Sequence, residues 1–326
     1  MRLIGYSRIH VGLADMGFAS LRSFGGIGFA IDYSPSVIDF NFSNDFAIEG
    51  AESLDQPGQR DLRDILDRLR GIRGARPFRA SILSHALQHH GFGSKTSLAL
   101  SLIAGANELC RLGLPRDQMQ TLSGRGGASG VGIHSFFEGG VICDGGHRMP
   151  LDRELSPSSA RAAGEVPPKL ARLEFPSEWH VMLLLGTAPV LSGEDELNFF
   201  RKNAPVERQE AFETIACLYH GVLSAFALKD DRSLATSLAY LHATGFKRRE
   251  LERCDEPTRR CFRVLCEQQF AVGLSSVGPL LYVIIPKGDE NAASRVRSEA
   301  SAARVALLGT AAGWNSGYRI ADAGAQ

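Results

Sequence analysis

No two cysteines in this 326-residue chain are spaced C-x-x-C, no H-E-x-x-H motif occurs, and neither charge is in excess. Each absence removes a class of protein. The six cysteines, at 110, 143, 217, 254, 261 and 266, are too scattered for a small secreted disulfide framework. Cys254, Cys261 and Cys266 are separated by six and four residues, which fits neither a zinc knuckle nor a ferredoxin run. They read as reduced thiols packing helices. With 36 basic against 36 acidic side chains, nothing overall favours nucleic acid or an anionic membrane. The first residues lack the apolar block of a signal peptide, and the longest apolar runs, near Val181–Leu185 and Leu280–Ile285, are strand-sized. A cytoplasmic protein with no membrane span is the expectation.

What the chain does have is glycine. Residues 124–140, GRGGASGVGIHSFFEGG, hold seven glycines and one arginine in seventeen positions. Such density marks backbone that turns with positive φ or approaches a ligand closely, often a phosphate.

The length favours two units, since one core rarely grows past roughly 250–300 residues. RLIGYSRIHVGL reads as a first strand; GGIGFAIDY and SVIDFNF read as two more, broken at Ser34-Pro35. Leu62, Ile65, Leu66 and Leu69 then trace one face of a helix, with an Asp64–Arg68 pair and Gly71 as its stop. A strand, a glycine turn at Gly91–Thr96 and a helix carrying Leu98, Leu102, Ala106 and Leu109 follow. Val141–Cys143 form a short strand delivering Asp144 to a turn. The polar, Ser- and Pro-rich stretch from Asp152 to Pro168 reads as a linker, which divides the chain into 1–168 and 169–326. Beyond it, WHVMLLLG restarts a strand, two periodic stretches read as helices, and a glycine turn at 273–279 runs into another strand.

Three stretches can carry chemistry. GFGSKTSLAL places Gly91, Gly93, Ser94, Lys95 and Thr96 at a helix start, where unpaired N–H groups attract an anion. An ordinary capped helix reads equally well. It is neither a Walker A loop nor a dinucleotide fingerprint. Gly124, Arg125, Gly126, Gly127, Ser129 and Gly130 form a second loop, whose guanidinium fork suits an oxyanion or simply lies in solvent. Asp144 before Gly145-Gly146 suits a divalent cation or a plain turn. The third loop, GLSSVGP, offers Ser275 and Ser276 but no nucleophile elbow.

Three such loops in this order resemble the superfamily of galactokinase, homoserine kinase, mevalonate kinase and phosphomevalonate kinase. GFGSKTSLA stands at its phosphate loop and GASGVGIHSFFEGG at the P-S-G-V-D…G-G stretch of its mevalonate kinase branch. Where that branch has a substrate-facing aspartate, this chain has Gly132. A non-kinase branch is similar over more motifs, namely the β-ribofuranosylaminobenzene 5′-phosphate synthases of tetrahydromethanopterin biosynthesis. RIHVGLAD at Arg8–Asp15, GGIG at Gly25–Gly28, GFGSKTSLAL, GRGGASGVG and DGGH at Asp144–His147 carry that resemblance.

The resemblance implies an α+β, two-domain GHMP-kinase-like fold, with an S5-like N-terminal and a ferredoxin-like C-terminal domain. It implies a Mg2+-dependent homodimer that condenses 5-phosphoribosyl-1-pyrophosphate with 4-aminobenzoate or 4-hydroxybenzoate, releasing CO2 and pyrophosphate. Within that reading Lys95 and Arg125 neutralise phosphate charge, Asp144 binds Mg2+ or faces the oxocarbenium carbon, and Arg8 and His10 pair with the benzoate or a phosphate. An ATP-dependent kinase and a non-catalytic phosphometabolite-binding protein are the alternatives.

Overall fold

The structure, a computed structural model, describes residues 1–125, 130–148, 154–157, 160 and 165–322. Its first sheet is built on β1 (Arg2–Asp15) and β2 (Arg22–Phe42), antiparallel from Arg2 opposite Asp39 to Asp15 opposite Phe24. β3 (Ala47–Glu49) and β4 (Phe78–Ser84) extend it beyond the second half of β2, and β5 (Val141–Asp144) pairs with the first half. β6 (His147–Arg148) adds a short rung.

The break expected at Ser34-Pro35 is a bend inside one strand of 21 residues. Ser34 adopts a φ of 44°, and the pairing with β1 slips between Gly5 and Ser7. Pro35 therefore sits at an irregularity, the place in a sheet where a missing N–H is tolerated.

The sheet also runs past residue 168. β7 (Lys169–Leu173) pairs with β5, and β12 (Arg319–Ala321) pairs with β1 from the far end of the chain. An unpaired sheet edge needs a partner. The polar composition before Lys169 reads as a separator, yet the next five residues add a strand to the first sheet. Residues 152–153, 158–159 and 161–164 of the expected linker lie outside the described residues.

The second sheet has the order β11 (Ala306–Ala312), β8 (Trp179–Leu185), β10 (Leu280–Pro286), β9 (Ala271–Leu274), with every pair antiparallel. Helices separate β8 from β9, and one helix separates β10 from β11. This is the βαββαβ plan of a ferredoxin-like domain.

On the first sheet lie α1 (Gln56–Arg70), α2 (Ser94–Cys110), α3 (Arg116–Ser123) and α4 (Val131–Glu138). Leu62, Ile65, Leu66 and Leu69 are buried with Leu98, Leu102 and Phe40, as their spacing predicts. Asp55 caps α1 by accepting from Gly58 N at 2.8 Å. Arg68 donates to the carbonyl of Leu122 at 2.7 Å instead of pairing with Asp64.

The C-terminal half carries α5 (Glu194–Asn203), α6 (Arg208–Ala216), α7 (Leu223–Leu228), α8 (Asp231–Ala243), α9 (Gly245–Glu252), α10 (Glu256–Glu267) and α11 (Glu290–Ala302). A π-helical turn at Cys217–Val222 joins α6 to α7. By length and composition this run, Arg208–Leu228, would cross a membrane. Its Leu218, Val222, Ala225 and Phe226 instead pack against Phe29, Val181 and Tyr282 from the two sheets. Cys254 and Cys261 are buried beside Phe262 and Val283, with Cys266 packed against them, and all six cysteines are free thiols.

Candidate functional site

Side chains two apart on a strand share a face, and β1 uses this to place Arg8 and His10 together. They open into a cleft of about 980 Å³, counting its mouth, between the β4–α2 turn and the β9–β10 turn. Gly91, Gly93, Ser94, Lys95, Thr96, Arg125 and Ser276 line it as well.

The two turns interlock. Ser275 Oγ donates to the carbonyl of Gly91 at 2.7 Å and accepts from His10 N at 3.1 Å, while Ser276 N donates to the carbonyl of His10 at 3.2 Å. Ser275 is fully buried, so it ties the turns together beneath the cleft floor. Gly91 has a φ of 100°, and a Cβ there would fall 2.6 Å from the carbonyl oxygen of Ser275. Only glycine satisfies both demands.

Gly93 is the residue before α2, at a φ of 70° and with no side-chain cap. The first N–H groups of a 17-residue helix therefore face the cleft, together with the positive end of its dipole. Arg8 Nη1 donates to the carbonyl of Gly91 at 3.0 Å, and its buried Nε has no hydrogen-bond partner. Arg125 Nε donates to Thr96 Oγ1 at 3.3 Å. Burial, and then the charge of Arg125, push the Arg8 guanidinium down to about 10. Burial lowers Arg125 too, against the opposing pull of Asp61 and Glu196. Two guanidiniums that repel each other at a helix N-terminus form a site built for an anion.

His10 is 4% exposed. Burial and the nearby charges of Arg8 and Lys247 hold its pKa well below the ordinary histidine value, so the imidazole is neutral. His85 and His89 are four residues apart but bond different partners, Ser53 and Asp55. Among the described residues no three His, Cys, Asp or Glu side chains are grouped as metal ligands.

Asp144 is not at the cleft. It is fully buried; Oδ2 accepts from Gly130 N at 2.9 Å and Val131 N at 3.0 Å, and Oδ1 accepts from Gly146 N at 2.9 Å. Burial raises its pKa to about 6 against the pull of these donors. The expected metal ligand is thus a clamp joining the start of α4 to the Gly145-Gly146 turn. Gly130 serves the same clamp, and Gly124, at a φ of 66°, ends α3. Gly126, Gly127 and Ser129 lie outside the described residues. Replacing Asp144 with alanine strips three N–H groups of a charged acceptor and is expected to cost about 3 kcal/mol of stability. The denaturant midpoint reads this directly; an unshifted midpoint would dismiss the clamp.

Other cleft residues escape notice in the sequence. Leu13, Phe200 and Val277 form an apolar side, while Glu196 and Glu250 are the carboxylates that line the cleft among the described residues. Lys247, only 4% exposed, forms an ion pair with Glu250, 3% exposed. A K-x-x-E spacing on a helix ordinarily signals a solvated pair, so nothing local marks this one as buried.

No protein-family model matches the chain. It is 32% identical over 298 residues to the β-ribofuranosylphenol 5′-phosphate synthase of Archaeoglobus fulgidus, covering 91% of each chain. With the enzyme of the same name from Methanothermobacter thermautotrophicus it shares 27% over 310 residues, 93% of this chain and 94% of that one. Among solved structures, homoserine kinase from Cytophaga hutchinsonii superposes with a TM-score of 0.71 at 11% identity, over 98% of this chain and 96% of that one. Phosphomevalonate kinase from Streptococcus pneumoniae gives 0.66 at 11%, over 95% and 98%. The fold is that of the GHMP kinases, and the chain belongs to the β-ribofuranosylphenol 5′-phosphate synthase family.

Proposed function

We propose that this chain condenses 5-phosphoribosyl-1-pyrophosphate with a para-substituted benzoate, releasing CO2 and pyrophosphate, within tetrahydromethanopterin biosynthesis. The observation that carries this reading is the pair of half-buried guanidiniums, Arg8 and Arg125, at the uncapped start of α2. The relatives' names specify a phenol product, which favours 4-hydroxybenzoate over 4-aminobenzoate as acceptor.

Breaking the ribosyl C1–O bond leaves charge on pyrophosphate while the carbon turns oxocarbenium-like. Donors aimed at that charge lower the barrier. Arg8, Arg125, Lys95 and the N–H groups of Ser94 and Lys95 supply them. A neutral His10 adds a hydrogen bond without adding a cation near C1. Mg2+ commonly binds through one or two carboxylates plus substrate phosphates. Glu196, which lines the cleft, and the phosphate oxygens would hold it, and the ion would further neutralise the leaving group.

Gly132 supports the same reading. A Cβ there would lie 3.4 Å from Thr96 Cγ2, with helical backbone that any residue can adopt. The kinase aspartate at this position would bring negative charge to the start of α2. Its absence favours an anion here and removes the group expected to act on an alcohol.

Purified protein with Mg2+, phosphoribosyl pyrophosphate and carboxyl-labelled 4-hydroxybenzoate is expected to release labelled CO2 and pyrophosphate in equal amounts. Release with neither 4-hydroxybenzoate nor 4-aminobenzoate sinks the proposal, and ATP consumption with a small alcohol would replace it with a kinase. The free thiols fit a reducing cytoplasm, and a homodimer is part of the proposal.

A further inference from the structure

The phosphate end of the cleft leaves one buried carboxylate unused. Glu250 lies on α9 one turn after Phe246, so the two share a helix face. Phe246 packs on Phe200 with ring centroids 4.9 Å apart and clusters with Val277 at the apolar side of the cleft. Glu250 therefore lines the cleft beside the apolar group of Phe200 and Val277. Lys247 is ion-paired with it and donates to the carbonyl of Leu274 at 2.9 Å. Beyond that pair no donor bonds its carboxylate among the described residues.

We propose that Glu250 binds the acceptor's para-hydroxyl group and takes its proton as the new carbon–carbon bond forms, an inference that rests on the condensation proposed above. The orientation follows from the chemistry. The ring carbon bearing the carboxylate attacks the ribosyl carbon whose pyrophosphate is held by Arg8, Lys95 and Arg125. The substituent across the ring must then point away from those cations, towards Leu13, Phe200, Val277 and Glu250.

The step balances. The ring-carbon to C1 bond forms as the C1–O bond breaks, and that electron pair leaves on pyrophosphate. The hydroxyl proton passes to Glu250, and the O–H pair becomes the carbonyl of a dienone. Loss of CO2 returns its electron pair to the ring, and the oxygen recovers the proton from Glu250. Burial and Glu196 raise the Glu250 pKa, while Lys247 and Arg253 oppose them, and the net direction is upward. A stronger base than an ordinary carboxylate results.

The test compares the wild type with E250Q, E250D and E250L, using 4-hydroxybenzoate and 4-fluorobenzoate, which has no proton to give. The expected result for E250Q is a roughly hundredfold fall in kcat with 4-hydroxybenzoate. Calorimetric affinity for phosphoribosyl pyrophosphate should change less than about threefold, and E250D should restore part of the rate. In binding alone, the wild type should prefer 4-hydroxybenzoate about tenfold, a preference that E250L abolishes. E250Q turnover within about threefold of wild type, or no binding preference in the wild type, overturns the assignment. Should no benzoate yield pyrophosphate while the preference and its loss in E250L persist, the condensation fails and the Glu250 contact stands. Turnover without the preference does the reverse.

Discussion

Arg8→Met is expected to lower kcat/KM for phosphoribosyl pyrophosphate about a thousandfold without lowering the melting temperature. Arg8 presents a buried Nε with no partner and sits close enough to Arg125 for their charges to oppose each other. In the free protein that arrangement costs energy, which a pyrophosphate bound as proposed would recover. Removing one donor from a preorganised anion site costs roughly 2.7–4 kcal/mol of transition-state stabilisation. At about 1.36 kcal/mol per tenfold, this is a factor of one hundred to one thousand, and the lost charge puts Arg8 at the upper end. Methionine keeps the apolar stem packed. The lost bond to the carbonyl of Gly91 is offset by relief of the repulsion, so stability stays level or rises. Arg8→Lys should recover little, because a point charge cannot reproduce a fork that bonds Gly91 and an anion together. Steady-state kinetics beside thermal melts decide the matter: wild-type kinetics refute the anion site, whereas a melting point lowered together with activity makes Arg8 a structural residue.

The residues at the start of α2 are legible in the sequence because they are marked by local signals. Gly91, Gly93 and the polar start of α2 are legible as a turn into a helix, and Arg8 and His10 fall on one face of an alternating strand. The structure brings them to one cleft with Arg125. Asp144 shows the limit. An aspartate before two glycines looks the same whether it holds a cation or three backbone N–H groups, and only burial tells them apart. Ser34-Pro35 misleads in a similar way, since a proline that breaks a regular strand also fits the bend of an irregular one. The apolar end was illegible. Phe200, Val277 and Glu250 come from three separate elements, and no spacing along the chain brings them together.

That division lets a GHMP-kinase fold host a different reaction. Glycine-rich turns and a helix start bind a phosphate whatever is done with it. What changes the chemistry is the wall opposite. Here Gly132 places no carboxylate beside Thr96, and Glu250, paired with Lys247, lines the same cleft as Leu13, Phe200 and Val277. Arginines at the start of α2 and the apolar Leu13, Phe200 and Val277 in one cleft suit a substrate that is anionic at one end and aromatic at the other.

Lys247→Met is expected to destabilise the protein by about 3–5 kcal/mol, the usual cost of stranding a buried charge. Lys247 and Glu250 are 4% and 3% exposed, and the ammonium also bonds the carbonyl of Leu274. With Lys247 gone, Glu250 keeps Glu196 as a repelling neighbour and Arg253 as an attracting one. It must then take up a proton or open the structure to water. The double variant Lys247→Met/Glu250→Gln is the control, because removing both charges together leaves no stranded ion and often costs little. Most of the lost stability should return in it, giving a coupling energy well above the roughly 0.5 kcal/mol scatter of independent sites. If the two losses simply add, the pair is not the unit that anchors α9 beneath the β9–β10 turn. The same cycle separates fold from chemistry. The double variant, stable again, lacks the carboxylate that handles the para-hydroxyl proton, so its kcat should stay as low as that of E250Q. A stable double variant with wild-type turnover would leave the Lys247–Glu250 pair a role in folding alone.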